Sequence, residues 1–349
     1  MWPRVPSVRS SESLLLLALA AVLLAAGCMR DGSSGHAASH ADVESTTIAL
    51  LESALDTLRM HSVYRDSVDW GIVRREATDS VRRATGPNVV HDAIENILRR
   101  IGDRHSFLMS RSVAADWARQ RVNNAVAPEL SILSGKIGLV RMPAVPVTDS
   151  DSASAYATRL HAGIRRIDAA DPCGWILDLR SNTGGNMWAM LASVGPLLVE
   201  GAIGSFAFPD GRIIEWSYSD GKARMGDSTL VEVERPYRLR ADAPPVALLV
   251  GTRTASSGEA VVIAFQGQST ARSFGEPTAG VPSANRMFVL PDSSAIALAT
   301  AWFADRSDRV YRQSLVPDSL VSPTSPGTPV ETAGMNWLLG QPSCGTTPD

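Results

Sequence analysis

The fold is constrained most by two mainly apolar pentapeptides. Each is followed by a turn of small polar residues and then by an apolar helix-like run. The first is Trp175–Leu179, which leads into Ser181–Gly185. The second is Val246–Val250, which leads into Gly251–Gly258. A short apolar run bounded by turn residues is typical of a strand buried in a parallel sheet. The repeated order of strand, turn and helix therefore predicts an α/β sheet with helical cover.

The segments around this pattern are predicted from their spacing. Apolar residues recur at helical spacing from Ile48 to Leu58, from Trp70 onward and from Val90 to Leu98. We therefore expect three helices, the last of them ending at Gly102, and then a linker to about residue 134. Further strands, β-hairpins and a C-terminal helix are predicted at 137–142, 203–225, 271–276, 287–290, 295–302 and about 330–339.

The N-terminus has the pattern of an export signal. Arg4 and Arg9 precede an apolar run, Leu14–Ala26, which is shorter than the roughly 20 residues that a membrane-spanning helix needs. The run ends in Leu-Ala-Ala-Gly-Cys, which resembles a bacterial lipobox and predicts an acylated Cys28 followed by a flexible polar tether. The alternative is a plain secretory signal with an incidental cysteine.

Cysteine usage and charge limit the other classes of function. In an exported protein Cys173 and Cys344 can form a disulfide or remain separate thiols, and the sequence does not give their distance. The net charge of −3 has no basic cluster behind it, so nucleic-acid binding is not expected. No His-Glu-x-x-His or paired-cysteine pattern occurs in the sequence, so neither a metal site nor a cofactor is predicted.

Three stretches carry residues suited to catalysis. Gly184 and Gly185 lie in the turn after the first strand, where backbone N–H groups can face an anion. Ser256 lies in the turn after the second strand, near a helix N-terminus. His105 follows the third predicted helix. Each has a plain structural alternative: a capped turn, an N-cap serine and a surface histidine. The turn around Ser256 lacks the Gly-x-Ser-x-Gly pattern of a nucleophile elbow.

Taken together, the motifs resemble the tail-specific/C-terminal processing serine peptidases and the tricorn core. The matching stretches are Leu177–Gly185, Thr254–Glu259, Gly275–Gly280 and Val316–Asp318. The resemblance implies a crotonase-like (ClpP-like) α/β core preceded by a small helical N-terminal domain. It also implies a serine endopeptidase in which Ser256 is the nucleophile. The oxyanion donors would be Gly184 or Gly185, together with the backbone of Ser257.

The general base distinguishes the branches of this family. Val281 occupies the position of the lysine base of the processing branch, and Lys136 and Lys222 are the only lysines in the sequence. The resemblance therefore implies the tricorn-like branch, with His105 as the base. An ordinary imidazole has a pKa of about 6.5, so activity is expected to rise through an apparent pKa of about 6–7. Residues 106–134 are too few for the PDZ domain of the processing branch.

A third catalytic member is less defined in the sequence. The tricorn-like branch uses a glutamate near its C-terminal strands, and the matching region here contains none. Asp305, Asp308 and Asn285 are candidates to orient the histidine. Glu259 lies one helical turn after the serine and is a candidate either for this role or for support of the serine loop.

Two other readings compete with the peptidase. One is a peptide-binding lipoprotein on the same scaffold that has lost turnover. The other is an acyl-CoA crotonase, which the export signal argues against because coenzyme A thioesters are cytoplasmic. The expected partners are a peptide or protein substrate and, through the lipid anchor, a membrane of the bacterial cell envelope. The predicted signal peptide spans 1–27 and the tether 28–40. The helical domain spans 41–110, the catalytic core 130–325, and the C-terminal helix with its tail 326–349.

Overall fold

The computed structural model describes residues 40–86, 88–119, 126–134, 136–322 and 329–345. The signal peptide, Cys28 and nearly all of the tether lie outside these ranges, so their predictions are not addressed by the fold. Among the described residues, no helix combines the length and the apolar character that crossing a membrane requires.

The described residues form eight α-helices. They are α1 (His40–His61), α2 (Trp70–Arg83), α3 (Val89–Arg100), α4 (Arg111–Arg119), α5 (Ser150–Asp168), α6 (Met187–Val194), α7 (Ser257–Ala264) and α8 (Val330–Leu339). Side-chain caps fix where two core helices begin. The Asp149 carboxylate accepts a hydrogen bond from the Ser152 N–H (2.8 Å), and the Asn186 side chain accepts one from the Ala189 N–H (3.0 Å). Asn186 thus ends the glycine turn and begins α6.

Fourteen strands are described in the same ranges. They are β1 (Phe107–Met109), β2 (Glu129–Leu133), β3 (Ile137–Arg141), β4 (Gly174–Asp178), β5 (Gly201–Ala207), β6 (Ile213–Ser219), β7 (Lys222–Met225), β8 (Ser228–Glu232), β9 (Val246–Val250), β10 (Ala271–Gly275), β11 (Ser283–Val289), β12 (Ala295–Ala304), β13 (Val310–Tyr311) and β14 (Ser319–Leu320). The stretch predicted as a linker contains β1, α4 and β2, and β11 begins four residues before the predicted strand.

The strands form two sheets rather than one. The six-stranded sheet has the order β14-β10-β9-β4-β3-β2 and is parallel except for β2. The eight-stranded sheet is antiparallel, with β1, β5, β11 and β13 all pairing with β12. The sequence predicts the strand–helix alternation of the first sheet and the hairpins of the second. It does not predict that the hairpins assemble into a sheet of their own.

Helices cover the sheets in layers. The largest apolar core includes residues of α5, α6 and α7 together with residues of both sheets. The opposite face of the parallel sheet packs against α8 through Val330 and Leu338. Helices α1–α3, the helical unit, form their own core with Leu290, Ile296 and Leu298 of the β11–β12 hairpin. Burial of these side chains therefore fixes the helical unit to the antiparallel sheet.

Strands β4 and β9 are direct neighbours, and this pairing brings the two predicted catalytic turns together. They run parallel, with Trp175 opposite Val246 and Asp178 opposite Leu249. The carboxyl ends of neighbouring parallel strands lie at one edge of the sheet, where open α/β sheets bind their ligands. The glycine turn after β4 and the serine loop after β9 therefore lie side by side.

A disulfide joins Cys173 to Cys344, with 4.9 Å between their Cα atoms. Cys173 directly precedes β4, and Cys344 follows α8. The cross-link spans 171 positions of the sequence, so it restricts the unfolded chain over a long loop. Of the two alternatives left open by the sequence, the structure has the disulfide.

Candidate active site

Ser256 lies on a strained turn between β9 and α7. It is the N-cap of α7 and has φ +55° and ψ −120°, a backbone region that residues other than glycine rarely adopt. Such strain costs about 1–3 kcal/mol and persists only where surrounding contacts hold it. The sequence argued against a nucleophile elbow because the Gly-x-Ser-x-Gly letters are missing. The structure shows a sharp strand-to-helix turn of that kind made by other residues.

Glu259 holds this turn through four hydrogen bonds that its carboxylate accepts. Its carboxylate accepts from the N–H of Ser256 at 2.9 Å and of Val281 at 3.0 Å. It also accepts from the Gly280 N–H at 3.1 Å and from the Thr278 hydroxyl at 2.5 Å. Burial raises the pKa of the Glu259 carboxyl, and these hydrogen bonds oppose that shift. Of its two candidate roles, Glu259 therefore has the contacts of a support for the serine loop.

The glycine turn packs directly against the serine. A Cβ added to Gly184 would lie 3.0 Å from the Ser256 Cβ and 3.4 Å from its Oγ, so a side chain there would crowd the hydroxyl. Gly184 and Gly185 have φ values of +105° and +117°, in the region that favours glycine. A Cβ on Gly185 would approach the Val145 carbonyl oxygen to 2.2 Å. Both positions therefore require glycine.

Only one of the two glycines has a free N–H. The Gly184 N–H donates to the Asn182 side chain at 2.9 Å, so it is already engaged. Within the described ranges, the N–H groups of Gly185 and Ser257 have no hydrogen-bond partner. Ser257 is the first residue of α7, where backbone N–H groups lack intrahelical acceptors and the helix dipole favours negative charge. Of the predicted donors, Gly185 and Ser257 are therefore available, and Gly184 supports the turn.

Two contacts join the glycine turn to the serine loop. The Ser257 hydroxyl donates to the Gly185 carbonyl at 2.7 Å. The backbone carbonyl of Asn182 accepts from the Ala255 N–H at 3.0 Å. The Asn182 side chain is fully buried and also donates to the Pro143 carbonyl at 3.0 Å. Asn182 thus fixes the separation of the two loops. Sequence reasoning missed it because its role depends on three segments that meet only in the fold.

His105 lies in the loop between α3 and β1. Its Nδ1 is 2.7 Å from the hydroxyl oxygen of Ser283, the first residue of β11. Its backbone N–H donates to Asp103 Oδ1 at 3.0 Å, and its carbonyl accepts from the Asn285 side chain at 2.9 Å. Burial lowers the pKa of His105 to about 4, and the Asp103 carboxylate acts in the opposite direction. The ring is therefore neutral at pH 7.

The segment 278–283 connects the histidine to the serine. Glu259 binds its backbone at Gly280 and Val281, and Ser283 contacts the His105 ring. The part of the chain that the structure describes contains no hydrogen bond between His105 and Ser256. Hydrogen bonds between catalytic groups are often long in unliganded proteins and shorten when substrate binds. The lysine position of the processing branch, Val281, thus lies two residues from the contact that holds the histidine.

The remaining candidates for a third member do not reach the ring. Asn285 contacts the backbone of His105 rather than its imidazole. Asp308 lies in the turn after β12 at φ +63°, and its N–H donates to the Asp305 carbonyl. Asp305 organises the same turn and accepts from the Tyr311 hydroxyl at 2.8 Å. The side chains of Asn285 and Asp305 therefore stabilise loops, Asp308 takes part through its backbone, and the ring partner, Ser283, is a residue that the sequence analysis did not select.

A cleft of about 900 Å³ opens beside His105. Its lining includes Val63 and Tyr64 from the turn after α1, Phe208 from the β5–β6 turn, and Val281. The helical unit and both strands of the β11–β12 hairpin thus contribute walls next to the proposed base. Clefts of this size are typical of small-molecule and peptide sites. In the described ranges, no group of three or more His, Cys, Asp or Glu side chains is arranged to hold a metal ion.

A serine on a strained strand-to-helix turn beside two free N–H groups is the arrangement that serine hydrolases use. The sequence profile of peptidase family S41 matches residues 136–321, more than half of the chain. The chain belongs to peptidase family S41, which confirms the family predicted from the motifs.

Relatives and solved structures agree with this assignment. The chain is 23% identical over 288 residues to the nisin-resistance protein of Lactococcus lactis subsp. lactis, covering 82% of this chain and 86% of that protein. It is 26% identical over 198 residues to the carboxyl-terminal-processing protease of Synechocystis sp., covering 54% of this chain and 42% of that protein. A lipoprotein from Streptococcus agalactiae has a similar fold, with a TM-score of 0.66, 24% identity and coverage of 84% of this chain and 96% of that chain. The photosystem II D1 C-terminal processing protease also shares the fold, with a TM-score of 0.55, 14% identity and coverage of 86% and 98%.

Proposed function

We propose that this protein is a serine endopeptidase that hydrolyses peptide bonds through an acyl-enzyme on Ser256, with His105 as the general base. The observation that carries the proposal is the geometry around Ser256. The hydroxyl lies on a strained turn against Gly184, and the unpaired N–H groups of Gly185 and Ser257 lie beside it. An N-cap serine with a purely structural role needs neither the strain nor the free donors.

The mechanism follows from these groups. The Nε2 of His105 takes the Ser256 hydroxyl proton while Oγ attacks the substrate carbonyl carbon. The N–H groups of Gly185 and Ser257 donate to the oxygen on which negative charge develops. The imidazolium then gives its proton to the leaving amine, and the C–N bond breaks. Water, deprotonated by the same ring, hydrolyses the acyl-enzyme and restores Ser256.

Labelling with a fluorophosphonate tests this proposal. The reagent phosphonylates an activated serine hydroxyl, so we expect one adduct per protein molecule, located at Ser256 by peptide mass spectrometry. The measured labelling rate should fall when an unstructured peptide substrate competes for the site. The alternative is a peptide-binding protein without turnover, which the missing hydrogen bond between His105 and Ser256 favours. Peptide binding without adduct formation or peptide cleavage would establish that alternative.

We also propose that the protein is exported to the bacterial cell envelope, on the periplasmic or extracellular side, and is attached to a membrane through an acylated Cys28. The Cys173–Cys344 disulfide supports it because such bonds persist in oxidising compartments. The similar structure of a streptococcal lipoprotein supports it as well. We expect wild-type protein to incorporate labelled fatty acid and to fractionate with membranes, because two or more acyl chains anchor a protein stably. Cys28→Ser should lose the label and be released. Unlabelled, soluble wild-type protein would refute the anchor.

We further propose that the six-stranded sheet and its helices are a crotonase-like (ClpP-like) core, with the helical unit as a separate N-terminal domain. The parallel strands β3, β4, β9 and β10, and the oxyanion turns at their carboxyl ends, support this assignment. The apolar core of the helical unit includes residues of the β11–β12 hairpin but none of the six-stranded sheet, which supports the domain division.

A further inference from the structure

We infer that Ser283 is the positioning residue for His105. Its hydroxyl oxygen accepts a hydrogen bond from Nδ1–H, which leaves the lone pair of Nε2 free to take the Ser256 proton. The inference rests on the proposed function and deepens it, because the family motifs do not supply an orienting partner in this chain. The distance of 2.7 Å between Nδ1 and Oγ is that of a well-formed hydrogen bond.

The sheet fixes the direction of the Ser283 hydroxyl. Ser283 is 1% exposed and pairs with Trp302 across the β11–β12 ladder. Its N–H donates to the Val281 carbonyl at 2.8 Å, and the carbonyl of Pro282 accepts from the Phe303 N–H at 2.9 Å. The backbone on both sides of the hydroxyl is therefore anchored, and the oxygen is a rigid acceptor.

Hydrogen bonds to its backbone also hold His105 in place, so only the orientation of its ring remains to be fixed. Asp103 accepts from the His105 N–H, and Asn285 donates to the His105 carbonyl. Ser106 is fixed in the same way, because its hydroxyl donates to Asp103 at 2.5 Å and accepts from the Ala299 N–H at 2.8 Å. Ser283 is the one hydrogen-bond partner of the ring within the described ranges. The tautomer of His105 is therefore decided at this contact.

A hydroxyl partner differs from the usual carboxylate in one respect. A carboxylate stabilises the imidazolium by charge, whereas a neutral hydroxyl orients the ring without doing so. Of the charged groups nearby, Asp103 acts on the pKa of the ring, and Arg104, Asp66 and Arg312 line the cleft beside it. None of these is hydrogen-bonded to the imidazole. Ser283 therefore orients a base that remains neutral over a wide pH range.

Three substitutions at residue 283 test this role. Ser283→Ala removes the acceptor and should lower kcat by roughly 10–100-fold while KM changes less than about twofold, because substrate contacts are intact. Ser283→Thr keeps a hydroxyl and should restore most of the lost kcat. Ser283→Asp replaces the hydroxyl by a carboxylate and should move the acidic limb of the kcat/KM profile to higher pH. Ser294→Ala, a buried serine in the turn of the same hairpin, is the matched control and should leave the profile in place.

Ring-nitrogen NMR tests the contact without requiring turnover. In a Ser256→Ala background we expect the His105 signals, assigned with His105→Gln, to show a protonated Nδ1 and an unprotonated Nε2. Adding Ser283→Ala should mix the two tautomers. An unprotonated Nδ1 in the parent, or an identical tautomer after Ser283→Ala, would overturn the inference. So would a kcat for Ser283→Ala within twofold of wild type. Absence of Ser256-dependent activity would instead refute the proposed function, and the NMR result would still decide the contact.

Discussion

Ser256→Ala is expected to lower kcat/KM for peptide hydrolysis by roughly 10⁴-fold or more, because removal of a serine nucleophile abolishes the acyl-enzyme route. The residual rate would come from binding and from the N–H donors of Gly185 and Ser257, which the substitution leaves in place. Progress curves with a fluorogenic peptide measure the effect, and thermal unfolding confirms that the variant is folded. Alanine keeps the Cβ of serine, so the substitution leaves the strain at φ +55° in place and adds no larger side chain to the turn.

Ser257→Ala is the matched control for this substitution. The proposal assigns the backbone N–H of Ser257 to the oxyanion, and alanine retains that group. The lost hydrogen bond to the Gly185 carbonyl is worth about 1 kcal/mol, which limits the expected loss to roughly tenfold. Equal losses in the two variants, or fluorophosphonate labelling that survives in Ser256→Ala, would show that the nucleophile is misassigned.

His105→Gln is expected to lower kcat/KM at pH 7 by roughly 10²–10⁴-fold, because general-base catalysis contributes about that much. The pH profile distinguishes this role from a structural one. Only the neutral ring is a base, so wild-type activity should fall when the pH drops far enough to protonate it. Burial lowers the pKa of His105 to about 4, so the acidic limb should lie near pH 4 rather than at the 6–7 expected from an ordinary imidazole. His105→Gln should lose that limb.

The lowered pKa of His105 also makes the stability of the folded protein depend on pH. In the unfolded chain an imidazole has a pKa of about 6.5, so between that pH and about 4 the unfolded state binds a proton that the folded ring does not. The contribution of His105 to stability is therefore present above about pH 6.5 and declines as the pH falls toward 4. His91→Gln, which removes a hydrogen bond to Asp292 outside the proposed dyad, is the control for the pH profile of His105→Gln and should keep its activity and its acidic limb. A limb that remains in His105→Gln would assign the base elsewhere.

Much of the core could be predicted from local sequence. The pentapeptides of β4 and β9 are apolar, short and bounded by turn residues, and their parallel order follows from the helices between them. The glycines at 184 and 185 and the serine at 256 could be selected because small residues between a strand and a helix leave backbone donors accessible. The helix at 330–339 could also be predicted, since its apolar spacing is local.

Contacts between distant segments could not be predicted in the same way. Ser283 and His105 are 178 positions apart, and the predicted strand began at residue 287, beyond Ser283. The strain at Ser256 depends on Glu259 binding two loops at once. The choice between Gly184 and Gly185 depends on which N–H the Asn182 side chain accepts from. The contact between Ser283 and His105 needs the register of paired strands, and a single sequence does not fix that register.

The docking of the helical unit on the β11–β12 hairpin also bears on how the protein is made. If the chain is exported as proposed, it emerges from its N-terminus, so His105 emerges before Ser256, and Ser283 follows later still. His105 can be oriented only after strands β11 and β12 have paired and Ser283 has come into contact with the histidine loop. Until then, the proposed Ser256–His105 pair has no oriented base, so a nascent chain would have no peptidase activity.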